Sequence, residues 1–358
     1  MLAFINHLSS TQQFILFSFV KIVLVILPLL GMVAYAVLVE RKISAFIQDR
    51  VGPNRVGLPL FNIGSRLGLG QPLADGIKFI LKEDYTPDHV RKGYFWLAPA
   101  IAMVPALLTI AVIPFGSTLG GKEKMVIADL NVGILYTFGI VSLGVYGIVL
   151  AGYAANSKYP FLGGIRSSAQ MISYEIAMGM SVVPLFLLVG NLNLSQVISY
   201  QADHIWSWLI FKQPLSFIIF LIAAFAETNR LPFDLPESET ELVGGYHTEY
   251  SSMKFGMFFM GEYANMIASA AMMVTLFLGG WTLPFAGLDQ PATDVLHGLL
   301  HIAIFLGKMM VLMLFFIWVR WMWPRFRYDQ LMDLGWRRFI PLALLNIVIT
   351  AAVLYLRR

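Results

Sequence analysis

The stretch AETNRLPFDLPESETELVGGYHTEYSSMKFGMFFMGEYANM (226–266) decides how the chain is read. Asp234, Glu237, Glu239, Glu241 and Glu249 crowd into one short loop, and Glu227 and Glu262 stand in the apolar segments on either side. Carboxylates beside hydrocarbon are expensive, so this density asks for a functional reason.

Outward from that stretch, the 358-residue chain is 58% hydrophobic and only 13% charged, too apolar for a soluble globule. A helix needs about 20 mostly apolar residues to cross a hydrocarbon layer of roughly 30 Å. Candidates fall at about 14–39, 94–113, 131–154, 171–190, 214–227, 253–280, 297–319 and 339–356. No alternating barrel pattern occurs. The expected fold class is therefore an all-α integral membrane protein, an eight-transmembrane-helix bundle forming a single membrane domain over residues 1–358. The first candidate follows a polar leader, Asn6 to Gln13, without the basic flank and cleavage site of a signal peptide, and is expected to be retained. At about 1.5 Å per residue it would be about 39 Å long, so it should tilt or project beyond the membrane.

Lys and Arg are asymmetric between the connecting segments. Nine lie in 40–93, two in 155–170, two in 228–254 and five in 320–338, 18 in all, against five on the opposite side. The richer side is expected to be cytoplasmic, with both termini outside. No basic stripe is interleaved with aromatics in a soluble domain, so no nucleic-acid partner is expected. The chain has no cysteine, so it cannot bind an iron–sulfur cluster through thiolates, attach a c-type haem or form a disulfide.

Residues 40–50 continue the first helix as a charged extension, and 51–57 (VGPNRVG) read as a turn. Gly68 and Gly70 lack the strand and lysine of a nucleotide loop. The segment QPLADGIKFILKED (71–84) places Leu73, Ile77, Ile80 and Leu81 on one face and Asp75, Lys78 and Lys82 on another. Too short to span, it is expected to lie in the cytoplasmic-side interface as an amphipathic helix. Gly133, Gly139, Ser142, Gly144, Gly147 and Gly152 in the third candidate suit close helix packing. The serines after Arg166 can cap the fourth candidate. Glu175 then falls inside its apolar run, where an acid costs about 3 kcal/mol, so it should face the bundle interior as a relay or as a neutral hydrogen-bonding carboxyl. In the sixth candidate Phe255, Phe258, Phe259 and Glu262 share a stripe that suits either core packing or the path of a flat apolar ligand such as a quinone. His297 and His301 lack a third ligand, so no metal site is expected. Lys21 and Lys308 would snorkel or pair with an acid. The Trp- and Arg-rich segment 320–338 suits an interface anchor or a docking surface.

Five segments carry a resemblance: ERKISAFIQDRVGPNRVG (40–57), QPLADGIKFILKED (71–84), RSSAQMISYEIAMG (166–179), residues 226–265 of the acidic stretch, and PRFRYDQLMDLGWRRFIPLALLN (324–346). Together they closely resemble the H-subunit family of proton-pumping NADH:quinone oxidoreductase, respiratory complex I, whose mitochondrial counterpart is NADH dehydrogenase subunit 1. The resemblance implies a bacterial inner-membrane subunit. In the family, quinone, as ubiquinone or menaquinone, enters from the lipid bilayer between the first and sixth helices and the amphipathic helix. NADH, FMN and iron–sulfur clusters would belong to partner subunits. The implied partners are the peripheral-arm quinone-site and terminal-cluster subunits and the small membrane subunits leading to antiporter-like pumps. Carried onto this chain, Glu40, Arg41, Arg50, Asp75, Lys78, Phe255, Phe258 and Phe259 would belong to the quinone chamber or its mouth. Glu175, Glu227, Asp234, Glu237, Glu239 and Glu262 would form the proton path. Some relatives carry a further acid in the third helix, and residues 131–154 contain none.

Like charges crowded in one loop are expected to raise each other's pKa and keep some carboxyls protonated, as a relay requires. A stand-alone proton or cation transporter would use the same acids, and a membrane-bound hydrogenase-type complex has a related subunit.

Overall fold

A computed structural model describes residues 10–57, 67–120, 123–284 and 287–357; residues 6–9 of the polar leader and the side chain of Glu239 lie outside what it describes. The main helices are α1 (Ser10–Ile47), α2 (Gln71–Leu81), α3 (Lys92–Thr109), α4 (Gly133–Ala154), α5 (Lys158–Val189), α6 (Pro214–Glu227), α7 (Ser252–Phe277), α8 (Val295–Met322) and α9 (Ile340–Leu356). Among the described residues, the strands are one small hairpin that pairs Thr118–Leu119 with Glu123–Lys124.

Among the described residues, six helical stretches are long and apolar enough to cross a membrane: Leu16–Ile47, Lys92–Val112, Gly133–Ala154, Lys158–Val189, Val295–Met322 and Tyr328–Leu356. α6 and α7 are not among them. α6 has 14 residues, which at about 1.5 Å each make it only about 21 Å long. α7 has the length, at 26 residues, but carries Lys254 and Glu262. It packs against α1, α3, α6 and α8, so its polar groups meet protein rather than lipid.

Several boundaries differ from those expected, each for a local reason. The charged extension of α1 does remain helical, and its 38 residues run about 57 Å. α5 starts at Lys158 instead of near 171, with Pro160 in its first turn, where a missing N–H is harmless. The serines after Arg166 therefore sit within the helix and do not cap it; Ser168 Oγ donates to the Ile165 carbonyl at 2.9 Å. The segment 320–338, read as a loop, is largely helical, with Tyr328–Asp333 and a π-turn over Leu334–Phe339 leading into α9. Lys308 neither snorkels nor meets an acid. Its ammonium donates to the carbonyls of Leu278, Gly280 and Thr282 at 2.7, 3.0 and 2.7 Å, closing the end of α7.

The buried side chains form two clusters. The larger holds α5, α6, α7 and α8 together around Tyr174, Phe220, Phe277 and Phe316. The smaller lies under the acidic loop, where Phe95 of α3 stacks on Tyr250 at 4.0 Å and Phe258 packs edge-on against Tyr246 and Tyr250. α2 is anchored at its C-terminal end by the first residue of α7, for Ser252 Oγ bonds to the carbonyls of Phe79 and Lys82 at 2.9 and 3.0 Å. Its apolar residues Leu73, Ile77, Ile80 and Leu81 are left exposed.

Only some of the small residues of α4 serve packing. A Cβ on Gly147 would lie 2.5 Å from the Ala102 backbone nitrogen of α3, and one on Gly152 would lie 2.5 Å from the Pro160 carbonyl oxygen, whereas Gly139 and Gly144 have nothing within 4 Å. Gly147→Ala should therefore push α3 and α4 apart and destabilise the bundle by about 1–3 kcal/mol, while Gly139→Ala should be neutral. Thermal unfolding of the two variants in the same detergent checks the contrast.

Candidate functional site

The acidic stretch is organised by a cation. Arg230, three residues beyond the end of α6, is 3% exposed in its side chain and reaches Glu40 of α1, with Nη1 2.9 Å from Oε2. Its Nε is paired with Glu262 of α7. Glu40 also receives Arg320 from α8 and the Tyr263 hydroxyl, which donates at 2.7 Å. The Arg230 guanidinium lies over the Tyr263 ring, 4.3 Å from its centroid. Glu40 and Glu262, both removed from water, thus each have a cationic partner. The loop is held in place by Gln170 of α5, whose Nε2 donates to the Ala226 and Phe233 carbonyls at 2.8 and 2.7 Å.

The loop acids separate. Glu241 turns outward to Arg166 at 2.6 Å, and Glu249 lies 3.9 Å from His89. Asp234 turns inward, where Arg325 binds it at 3.0 Å and also donates to Ser238 Oγ at 3.2 Å. Burial raises the Asp234 carboxyl above its ordinary range even with Arg325 beside it. Glu237 is raised further, first by burial and then by Glu262 and Asp234. Burial, more than crowding of like charges, is therefore what favours the protonated form. His247 lies 3.7 Å from Glu237, yet burial pushes the imidazole down to about 4, so the ring brings no positive charge to the contact at neutral pH.

Below the loop, a small cavity of about 30 Å³ is lined by Glu227, Glu237, Glu262, Tyr246 and Phe258. Glu227 is buried and neither carboxyl oxygen has a hydrogen-bond partner among the described groups. Glu175 is half-buried on α5, near enough to act electrostatically on Glu227.

On the other side of the network, a cavity of about 740 Å³ lies between α1, α2 and α7. α1 contributes Ala34, Val37 and Arg41, α2 contributes Asp75, Lys78 and Phe79, and α7 contributes Phe255, Phe259 and Tyr263. Arg41 and Asp75 bridge the two helices at 2.8 Å. Mostly apolar walls with a few charged groups suit an amphiphilic ligand with a polar head.

Most of the expected site residues are thus brought together, with three departures. The stripe 255–262 divides at its edges, because adjacent residues stand about 100° apart around a helix and Phe258 and Phe259 therefore flank the stripe on opposite sides. Phe255 and Phe259 line the large cavity, while Phe258 is buried beside the small one. Arg50 is exposed beyond the end of α1, bonded to Gln48 at 2.7 Å, and lines neither cavity. Glu40 belongs to the ion network and not to the cavity wall. Sequence reasoning missed Arg230, Tyr263 and Arg320 as site members. A lone arginine directly after an apolar helix was the available signal for the first.

The NADH dehydrogenase family matches residues 20–351. An NADH-quinone oxidoreductase H-subunit of Koribacter versatilis, the second of its kind in that organism, is 47% identical, covering 98% of this chain and 100% of the relative. The NADH-quinone oxidoreductase H-subunit of Flavobacterium johnsoniae is 48% identical over 96% of both chains. One from Geobacter sulfurreducens is 50% identical over 93% of this chain and 95% of the relative.

The buried imidazole gives a test of the site's electrostatics. A folded-state value near 4, below the ordinary 6.5, means that the unfolded chain binds the extra proton more readily. The stabilising contribution is complete above pH 6.5 and is lost as pH falls toward 4, by up to about 3 kcal/mol. His247→Phe should flatten that acid-side loss in thermal unfolding and change little at neutral pH.

Proposed function

The chain belongs to the H-subunit family of NADH-quinone oxidoreductase, the membrane part of a multi-subunit oxidoreductase, and from that premise we propose that it forms the quinone entry and part of the quinone chamber, coupling quinone reduction to proton translocation. The observation that carries this reading is the position of Tyr263. Its side chain lines the large cavity, while its hydroxyl holds Glu40 and its ring supports Arg230. Tyr263 directly follows the acid Glu262 in the chain, so cavity wall and acid are neighbours.

Quinone reduction takes up two electrons and two protons. The electrons come from partner subunits, which hold the FMN and iron–sulfur clusters and oxidise NADH; this chain has no cysteine to bind a cluster. The apolar walls between α1 and α7 admit the quinone tail, and Arg41, Asp75 and Lys78 supply charge where a polar head passes. Charge developing on the head group acts on the Arg230–Glu40–Glu262 network at short range and in a low dielectric, where it is strongly felt. Glu262 and Glu237 adjust their protonation, and Asp234, Glu239, Glu227 and Glu175 extend the proton path toward the antiporter-like subunits. Phe258 packs the wall between the chamber and the acids. Arg50, at the surface, belongs to the face that the peripheral quinone-site subunits cover.

In this reading the chain is one membrane domain in the bacterial inner membrane, with α1 and α3–α9 as eight spans and α2 lying in the interface. The loops rich in Lys and Arg face the cytoplasm, and the termini lie outside.

In the assembled complex, Glu262→Gln should lower proton pumping and NADH:quinone turnover on the order of ten-fold or more, with NADH–ferricyanide activity of the partners intact; unchanged coupled turnover would remove the relay. Ala34→Trp should obstruct the cavity. It should raise the KM for a long-tailed quinone more than for a short-tailed analogue, and equal effects on the two would count against this entry route.

A further inference from the structure

Beyond Glu262, α7 carries two more polar side chains on the same stripe, Asn265 and Ser269, three and seven residues on. Neither makes a side-chain hydrogen bond within the described chain, and both are half-buried. A buried amide left without a partner costs about 1–3 kcal/mol unless water satisfies it.

Water has room there. Asn265 and Glu227 each line two cavities, the one of about 30 Å³ beneath the acidic loop and a second of about 20 Å³ deeper in the bundle. A cavity of roughly 10–15 Å³ holds one water. The deeper cavity is also lined by Ser269, by Thr137 near the start of α4 and by Thr109 at the end of α3, so it extends toward the end of the bundle opposite the acidic loop. Thr137 and Thr109 donate to the Gly133 and Pro105 carbonyls of their own helices, each at 2.9 Å, which leaves their oxygens able to accept from water. Glu227 stands at the junction with two unpartnered oxygens.

Resting on the reading of the previous subsection, we propose that Asn265 is a positioning residue for proton transfer, which with Ser269 and Thr137 holds a file of water that carries the proton past Glu227. α4 reaches the deeper cavity through Thr137 and carries no acid of its own to relay the proton. A proton leaving Glu227 is taken up by a water oxygen, and that water passes another proton on, so only O–H bonds form and break. Asn265 donates through its N–H and accepts through its carbonyl oxygen, ordering the file without itself titrating.

The test uses the assembled complex in sealed vesicles and reads protons translocated per NADH oxidised, with Glu262→Gln run in parallel. Asn265→Leu should lower the ratio at least about five-fold with the quinone KM and NADH–ferricyanide activity unchanged, while Asn265→Ser, which leaves space for water, should keep at least about half of it. A merely structural role predicts the reverse order, because leucine is close to asparagine in size and fills its space, whereas serine leaves a void. A wild-type ratio in Asn265→Leu with Glu262→Gln inactive would overturn the water file and leave the chamber reading standing; normal ratios in both would overturn both. Should Asn265→Leu fail to assemble, Ser269→Ala decides: a fall of about two-fold or more supports the file, and an unchanged ratio overturns it.

Discussion

A guanidinium buried between two carboxylates from different helices is what the rest of the molecule is arranged to tolerate. Arg230 joins α1 through Glu40 to α7 through Glu262, and Arg320 brings α8 to the same carboxylate. Taking one charge from such a group would leave another buried and unpaired, at a cost of about 3–5 kcal/mol. The network therefore fixes three helices at one point with little tolerance in distance. The same feature makes it responsive, since any change of charge at the cavity wall falls on buried groups, where screening is weaker than at the surface.

The separation of the acids follows from this arrangement. Glu241 and Glu249 find basic partners toward the surface, while Asp234 and Glu237 turn under the loop. Gly163 of α5 permits that inward turn, because a Cβ there would lie 2.9 Å from the Tyr246 nitrogen and 3.0 Å from the Pro236 oxygen. Close backbone approach thus moves the loop into the helix layer, and burial then sets the protonation of its acids.

Much of this was legible in the sequence. Hydrophobic run length located most of the helices, and isolated acids in apolar surroundings pointed to Glu175, Glu227 and Glu262. The errors share a cause. Residues 158–170 and 328–339 are polar enough to read as loops, yet fold as helix because they pack on the protein's own loops and on Tyr174, contacts that composition does not encode. The division between Phe258 and its neighbours needed the helix's orientation, which periodicity alone leaves open. Arg230 and Tyr263 matter through partners 190 and 223 residues distant from them in sequence, and no local pattern reports such distances.

The brevity of α6 bears on energetics as well as architecture. A helix of about 21 Å is shorter than a layer of about 30 Å, so in the arrangement proposed above the residues flanking α6 complete its span, and with Pro214 at the outer face Glu227 would lie about 9 Å inside the cytoplasmic one. Moving one elementary charge through the whole layer corresponds to about 2.3 kcal/mol per 100 mV. A proton delivered to Glu227 would already have crossed roughly a third of that voltage drop. In that arrangement protonation of this carboxyl would itself be an electrogenic event, and its occupancy would respond to membrane potential as well as to pH.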